Sequence, residues 1–333
     1  MRDSLVIGLV FDLREDYLAD GYSEEDTAEF DTEESITAMV SALERLGHRV
    51  ERIGNARSLV AKLVCGASWD IVVPMVEGLV GRNREAHVPA LLELFNQPYA
   101  LSDVLTMAIS LDKDVAKRLV REAGIPTAEF MVMGEVTGSG EEWGHYPAFL
   151  KPAWEGTSKG CEIESKVENA RGLIEVAASL RNRFQQPVIV EPYLDGVELT
   201  VGIIGNGSSA RVLGVAQICM GERADPDIFT RRNKENQDVL CSFEVADKSR
   251  AEQVAKLALG AYRALGCRDC CRIDFRYDSE GQPQFLEANP IPGFHPTNSD
   301  LPVLARLHGV PYDDLLDQVI RAAASRYEGI LNE

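Results

Sequence analysis

Between Arg272 and Gly293 the chain reads RIDFRYDSEGQPQFLEANPIPG, a run that fits a β-hairpin better than any other local structure. Ile273, Phe275 and Tyr277 alternate with Arg272, Asp274 and Arg276, the period of a half-buried strand. Asp278-Ser-Glu-Gly281 supplies turn chemistry, and Gln284 to Asn289 then returns antiparallel. Glu287 and Asn289 are two positions apart, so they share one face of the second strand, against the Asp274 end of the first. Two carboxylates and an amide held together suit a hard cation such as Mg2+, which takes a few protein oxygens and completes its shell with substrate phosphates. The plain alternative is a charged, solvated hairpin face. Pro290-Ile-Pro-Gly293 favours the metal reading, because it makes the following backbone rigid and exposed, as active-site loops often are.

A chain of 333 residues exceeds one comfortable core, so two or three domains are expected. No apolar run reaches membrane-spanning length, and Met1 to Leu13 lacks the basic start and long apolar stretch of a signal peptide; a cytoplasmic protein is expected. The net charge of -19 argues against nucleic-acid or anionic-membrane partners, since phosphate-rich surfaces demand basic ones. Seven cysteines without disulfide-like spacing fit a reducing compartment. Cys267, Cys270 and Cys271 lack the second cluster or neighbouring histidines that zinc would need, and read as packing.

Leu5 to Phe11 reads as an apolar strand, and Asp31 as the N-cap of a helix running to about Leu46, with Glu34 closing a capping box. Strands at His48 to Ile53 and Trp69 to Val76 complete a Rossmann-like unit, followed by a helix at Glu85 to Phe95. A helix over Leu111 to Ala123, a polar connection at Gly134 to Gly144, a strand at Tyr146 to Lys151, a loop at Trp154 to Gly160 and a helix at Glu168 to Phe184 make a small α+β unit. Strands follow at Val188 to Glu191, Glu198 to Ile204 and Arg211 to Cys219. Arg223 to Asp238 is a polar loop long enough to be a lid, and helices at Ser249 to Leu265 and Tyr312 to Arg326 flank the hairpin. The expected domains are 1–101, 102–190 and 191–333.

Lys151 ends a strand and precedes a small-residue loop whose amides can fold over phosphate oxygens, although a solvent loop would look similar. Glu191-Pro-Tyr-Leu194 can expose backbone groups to an adenine edge and Glu198 can accept from ribose hydroxyls, but alone these are ordinary surface acids. In this order, however, the stretches from about Pro98 to Ala323 resemble the D-alanine–D-alanine ligase group of the ATP-grasp superfamily. The resemblance implies a three-domain ATP-grasp fold, α/β and α+β, with a Rossmann-like N-terminal domain. It implies nucleotide lysines at Lys113 and Lys151, with Thr157 and Ser158 in the phosphate-covering loop. Glu191, Tyr193 and Leu194 correspond to the adenine-binding linker, Glu198 to the ribose acid and Lys234 to a lid lysine. Arg272 corresponds to the family's arginine, Asp274, Glu287 and Asn289 to its metal ligands, and Gly293 to the amide that stabilises the oxyanion. Asn298 and Ser299 fall near the contact for the second substrate's carboxylate.

The activity implied is ATP-dependent C–N ligation with Mg2+ or Mn2+: a carboxylate takes the γ-phosphate of ATP, and an amine then displaces phosphate from the acyl phosphate. The implied partners are small amino-acid-like substrates, and the implied assembly a homodimer. The chain departs from the family at its N-terminal end. Asp12 to Phe30 is a long acidic segment where the family has a Gly-rich, Ser-containing loop with an ammonium-binding glutamate, and Glu29, Glu33 and Glu34 are the candidates for that acid. Glu77-Gly-Leu-Val-Gly81-Arg-Asn-Arg-Glu85-Ala stands in place of a His-Gly and a Gly-Glu-Asp-Gly pattern, and the lid tyrosine is absent. These departures point towards relatives that join other amino acids or amines, including mycosporine-type ligases. The alternatives are a true D-alanine–D-alanine ligase and a nucleotide-binding module without turnover.

Overall fold

A computed structural model describes residues 4–134, 143–225, 228 and 230–330. Most of the polar connection expected at Gly134 to Gly144 lies outside the described residues. Three sheets organise the chain. The first is parallel, in the order β2-β1-β3, from β1 (Val6–Phe11), β2 (Arg49–Gly54) and β3 (Ile71–Met75). All five residues of β3 are buried, as an apolar strand covered on both faces by helices requires. A short helix, α1 (Arg14–Ala19), precedes α2 (Glu33–Arg45), and α3 (Ala56–Val64) links β2 to β3.

The start of α2 differs from expectation. Thr32 is the N-cap and accepts from the Ser35 amide at 3.3 Å, while Asp31 accepts from the Ser35 hydroxyl at 2.8 Å, so no Asp31–Glu34 capping box forms. The helix expected from Glu85 begins as a 3-10 turn, Arg84–Ala86, before α4 (His87–Leu94). The single helix expected over Leu111 to Ala123 is broken. Asp112 leaves helical geometry at ψ 100°, ending α5 (Val104–Leu111), and its carboxylate accepts from the Val115 amide to cap α6 (Lys113–Glu122). The cap places Lys113 at the first position of α6.

A four-stranded antiparallel sheet, in the order β4-β7-β5-β6, contains β4 (Met131–Met133), β5 (Ala148–Pro152), β6 (Lys166–Val167) and β7 (Val188–Pro192). It packs beneath α7 (Ala170–Phe184), which Asn169 caps two residues later than expected. The third sheet runs β10-β9-β8-β11-β12, from β8 (Glu198–Ile204), β9 (Arg211–Met220), β10 (Cys241–Val245), β11 (Cys270–Tyr277) and β12 (Pro283–Asn289). The segment read as a lid loop contains two short helices, α8 (Arg231–Glu235) and α9 (Gln237–Leu240), with the Thr230 hydroxyl capping the first. Beyond it, α10 (Lys248–Ala264) covers one face of the sheet. Finally α11 (Asp300–Leu307) and α12 (Tyr312–Ala324) pack across it into the core beneath the first sheet. Cys267, Cys270 and Cys271 are free and buried in these cores, the packing role expected of them.

The hairpin forms as read. Asp274 lies opposite Glu287 and Arg272 opposite Asn289, while Asp278 and Gly281 close the turn. A bulge at Leu286 re-aims the strand, pairing Phe275 with Phe285. Their rings meet edge-on at 6.0 Å, a contact worth about 1 kcal/mol that helps fix the register.

Candidate active site

Two adjoining cavities open between the antiparallel sheets and the N-terminal unit. The inner one, ≈ 110 Å³, takes Lys113, Lys151, Ser158, Glu191, Tyr193, Leu194, Glu198, Lys234, Arg272, Asp274 and Glu287 from the expected set. Phe149, Ile218, Ile228 and Leu286 give it apolar walls, as a heteroaromatic ring would require. The outer one, ≈ 550 Å³, takes Thr157, Asn289, Gly293, Asn298 and Ser299, and shares Lys113, Lys234, Arg272 and Glu287 with the first. Every site residue expected from the sequence therefore borders one cavity or both.

The acidic end of the hairpin is gripped by cations. Arg272 lies 3.0 Å from Asp274 and 3.8 Å from Glu287, while Lys113 lies 3.3 Å from Glu287 and also donates to the Glu155 carbonyl. Burial works to raise the Glu287 carboxyl, but Lys113, Lys151, Arg272 and Lys234 outweigh it and hold the group down at about 2. The Asn289 side-chain amide donates to Asp274 Oδ2 at 3.3 Å. Asp274 Oδ1 is buried with no hydrogen-bond partner among the described residues, an oxygen that a cation would satisfy. No three acids, histidines or cysteines form a metal cluster among the described residues. The site offers two carboxylates and an amide, the partial set that suits Mg2+ when phosphates complete the shell.

Lys151 and Glu191 behave as one unit with a residue that sequence reading missed. Lys117, one turn beyond Lys113 on α6, is fully buried and lies 2.5 Å from Glu191, whose other oxygen lies 2.9 Å from Lys151. Burial lowers the Lys117 ammonium to about 8 despite the pull of Glu191. For Glu191, burial is outweighed by the two lysines, which hold it at about 2. The Glu191 carboxylate is thus taken up by two lysines, and Tyr193 and Leu194 line the inner cavity beside it. Arg276, also unexpected, lies 3.5 Å from Glu198 and 5.3 Å above the Tyr193 ring.

Asp300, at the head of α11, is a third unforeseen member: it pairs with Arg272 and lies 3.5 Å from Lys234. Its signal was its place directly after Ser299 at a helix start; for Lys117 it was the four-residue step from Lys113. Burial, with Arg272 nearby, lowers Lys234 to about 8. Ser299 accepts from the His295 amide at 2.9 Å, and its hydroxyl sits 2.5 Å from where a Cβ on Gly293 would lie, so a side chain there would displace that hydroxyl. Asn298 is exposed at the rim.

The three candidate N-terminal acids separate clearly. Glu33 is half-exposed and pairs with Arg52, and Glu34 is largely exposed, 3.6 Å from His295. Glu29 is buried and faces the phosphate-covering loop, accepting from the Gly156 amide at 2.8 Å and from Arg84 at 2.9 Å, with Lys159 at 3.4 Å. Arg84 also donates to the Trp154 carbonyl at 2.7 Å, and the Trp154 ring lies under Arg82. Trp154 therefore anchors the loop.

Comparison with known proteins agrees with this geometry. The model for the D-Ala D-Ala ligase C-terminus matches residues 119–321. An uncharacterized protein, y4sG, of Sinorhizobium fredii is 30% identical over 88% of this chain and 88% of its own. The D-alanine–D-alanine ligase of Cupriavidus necator is 33% identical, covering 86% of this chain and 85% of its own. The crystal structure of D-alanine–D-alanine ligase from Bacillus anthracis complexed with ATP superposes with a TM-score of 0.72 at 23% identity, covering 97% of this chain and 98% of that one.

Proposed function

Because the chain belongs to the D-alanine–D-alanine ligase family of the ATP-grasp superfamily, we propose that it is an ATP-dependent carboxylate–amine ligase working through an acyl phosphate. The observation that carries this reading is the meeting of Lys113, Lys151, Lys234 and Arg272 with Asp274, Glu287 and Asn289 between two antiparallel sheets. In the first step a substrate carboxylate oxygen attacks the γ-phosphorus, the bond to the β,γ-bridging oxygen breaks, and ADP leaves. In the second an amine attacks the acyl carbon, phosphate departs with the bonding pair, and the amine loses a proton.

Lys113, Lys151 and Lys234 neutralise phosphate oxygens, and Arg272 holds the charge that develops on the transferred group. Asp274, Glu287 and Asn289 would hold Mg2+ or Mn2+, which when bound offsets repulsion between phosphates. Thr157 and Ser158 cover the phosphates, Tyr193, Leu194 and the Glu191 backbone receive the adenine, and Glu198 the ribose. The Gly293 amide meets the oxyanion, with Asn298 and Ser299 near the second substrate's carboxylate. Enclosure keeps water from the acyl phosphate. The domains proposed are 1–101, 102–190 and 191–333, the proposed assembly is a homodimer, and the proposed compartment is the cytoplasm.

The test is phosphate release from ATP and Mg2+ with pools of amino acids. Release with D-alanine alone would assign the second reading, a true D-alanine–D-alanine ligase, which the names of the relatives favour. Release with other amino acids and not D-alanine is expected, because the N-terminal wall departs from the family pattern. No release with any pool would leave a binding module.

A further inference from the structure

The outer cavity has a charge pattern that the nucleotide does not use. Lys113, Lys234 and Arg272 give it a cationic side at the hairpin, while the N-terminal unit contributes Asp31, Glu77 and Glu85. Glu85 is 7% exposed, borders the cavity, and makes no hydrogen bond or ion pair among the described residues; Glu77 likewise makes none. Of the arginines nearby, Arg14 lies 2.5 Å from Glu24 and Arg84 is held by Glu29, Glu155 and the Trp154 carbonyl, so neither pairs with these acids. Among the described residues the Asp31 carboxylate accepts only from the Ser35 hydroxyl. Three acids thus face one cavity with no ion pair among the described residues; Arg84 eases Glu77 and Glu85 only from a distance, and the arrangement costs free energy unless something positive enters.

Resting on the ligase reading, we infer that the carboxylate substrate is a basic amino acid, its carboxylate towards Arg272 and its two ammonium groups received by Glu77, Glu85 and Asp31. A single ammonium brings one positive charge to three acids; a second, at the end of a side chain, balances most of the remainder. The volume of ≈ 550 Å³ lies within the range of sites for whole small molecules, so a long side chain has room. The titration pattern agrees: burial, and for Glu77 the neighbouring Glu85, drives both acids upward, Glu85 to about 8, and a cation between them would reverse that cost.

Calorimetry on the full chain with Mg2+ and a non-hydrolysable ATP analogue separates the outcomes, using each enantiomer of ornithine and of norvaline, its counterpart lacking the terminal amine. One enantiomer of ornithine is expected to bind at least tenfold more tightly than the matching norvaline. Glu85→Gln, and separately Glu77→Gln, should weaken ornithine several-fold more than norvaline and so narrow the gap between them; a merely structural role would weaken both ligands by the same factor. Equal affinity for the two ligands in the wild-type protein overturns the inference, as does binding of neither while the analogue binds. Failure of the analogue itself to bind would overturn the ligase reading and this inference with it.

Discussion

Asp274 and Glu287 face each other across one hairpin, yet their surroundings differ. Glu287 is surrounded by cations that keep it ionised, whereas Asp274 Oδ1 has no hydrogen-bond partner among the described residues. Asp274→Asn or Glu287→Gln preserves shape and removes one charge, so ATP-dependent ligation should fall by two or more orders of magnitude while the protein still folds, with a lowered melting midpoint for Glu287→Gln, whose charge offsets four cations. Unchanged turnover in both variants would sink the assignment. Lys234 offers a pH test. Burial lowers its ammonium to about 8, so it carries charge below that pH and loses it above. If it holds a phosphate, the KM for ATP rises between pH 7 and 9; Lys234→Arg, charged throughout, should flatten that rise. Residues such as Asp274 and Lys151 were legible because chemistry-bearing side chains sit next to strong local signals, a strand alternation and a strand end. Lys117 and Asp300 were not, because their importance lies in contacts with Glu191 and Arg272, which only the folded chain brings within reach.

At the level of elements, the phosphate-covering loop is tied to the N-terminal unit rather than left free. Thr157 and Ser158 hold positive φ values, and the loop backbone is fastened through the Gly156 amide to Glu29 and through the Trp154 carbonyl to Arg84. The Glu29–Arg84 pair is 4% and 5% exposed, so removing the acid strands a buried guanidinium beside the more distant Glu155. Glu29→Ala should cost about 3 kcal/mol and speed amide exchange across 153–160 by one or more orders of magnitude, read by hydrogen exchange with mass spectrometry. Exchange at the wild-type rate would show that the tie does not hold the loop. The strands and long helices that were read fell within a residue or two of their ends because their periodicity is local, whereas β6 and β10 went unread. Four boundaries were misplaced where a small polar side chain decides: Thr32 in place of Asp31, the break at Asp112, the Asn169 cap of α7, and the Thr230 cap inside a presumed loop. The sequence offers several such side chains at each place, and local spacing alone does not choose between them.

For the molecule as a whole, the three-sheet architecture was foreseeable from the order of apolar runs and from the family resemblance, but the joint that holds its ends together was not. Asp269 is fully buried with φ 63°, accepts from the Leu101 amide at 2.8 Å, and pairs with Arg326 through both oxygens, at 3.0 and 2.7 Å. Arg326 also donates to the carbonyls of Tyr99 and Leu101, so residues 168 and 57 positions from Asp269 meet at one carboxylate. Burial raises the Asp269 carboxyl, with Arg326 opposing. Arg326→Met removes that opposition and leaves a buried charge, at an expected cost of about 3–5 kcal/mol at pH 7. The pH dependence has a definite sign. A carboxyl raised in the folded state binds a proton there that the unfolded chain releases, so stability increases as pH falls from 7 towards the unfolded value. The Arg326→Met protein should therefore regain part of its melting midpoint between pH 7 and 5 relative to wild type, with the Leu101 amide exchanging faster at pH 7 than at an exchange-corrected pH 5. Arg326→Lys should recover little, since one ammonium lacks the guanidinium fork that reaches both the carboxylate and the two carbonyls. A midpoint deficit that does not narrow on acidification would mean that Asp269 is not the group Arg326 stabilises.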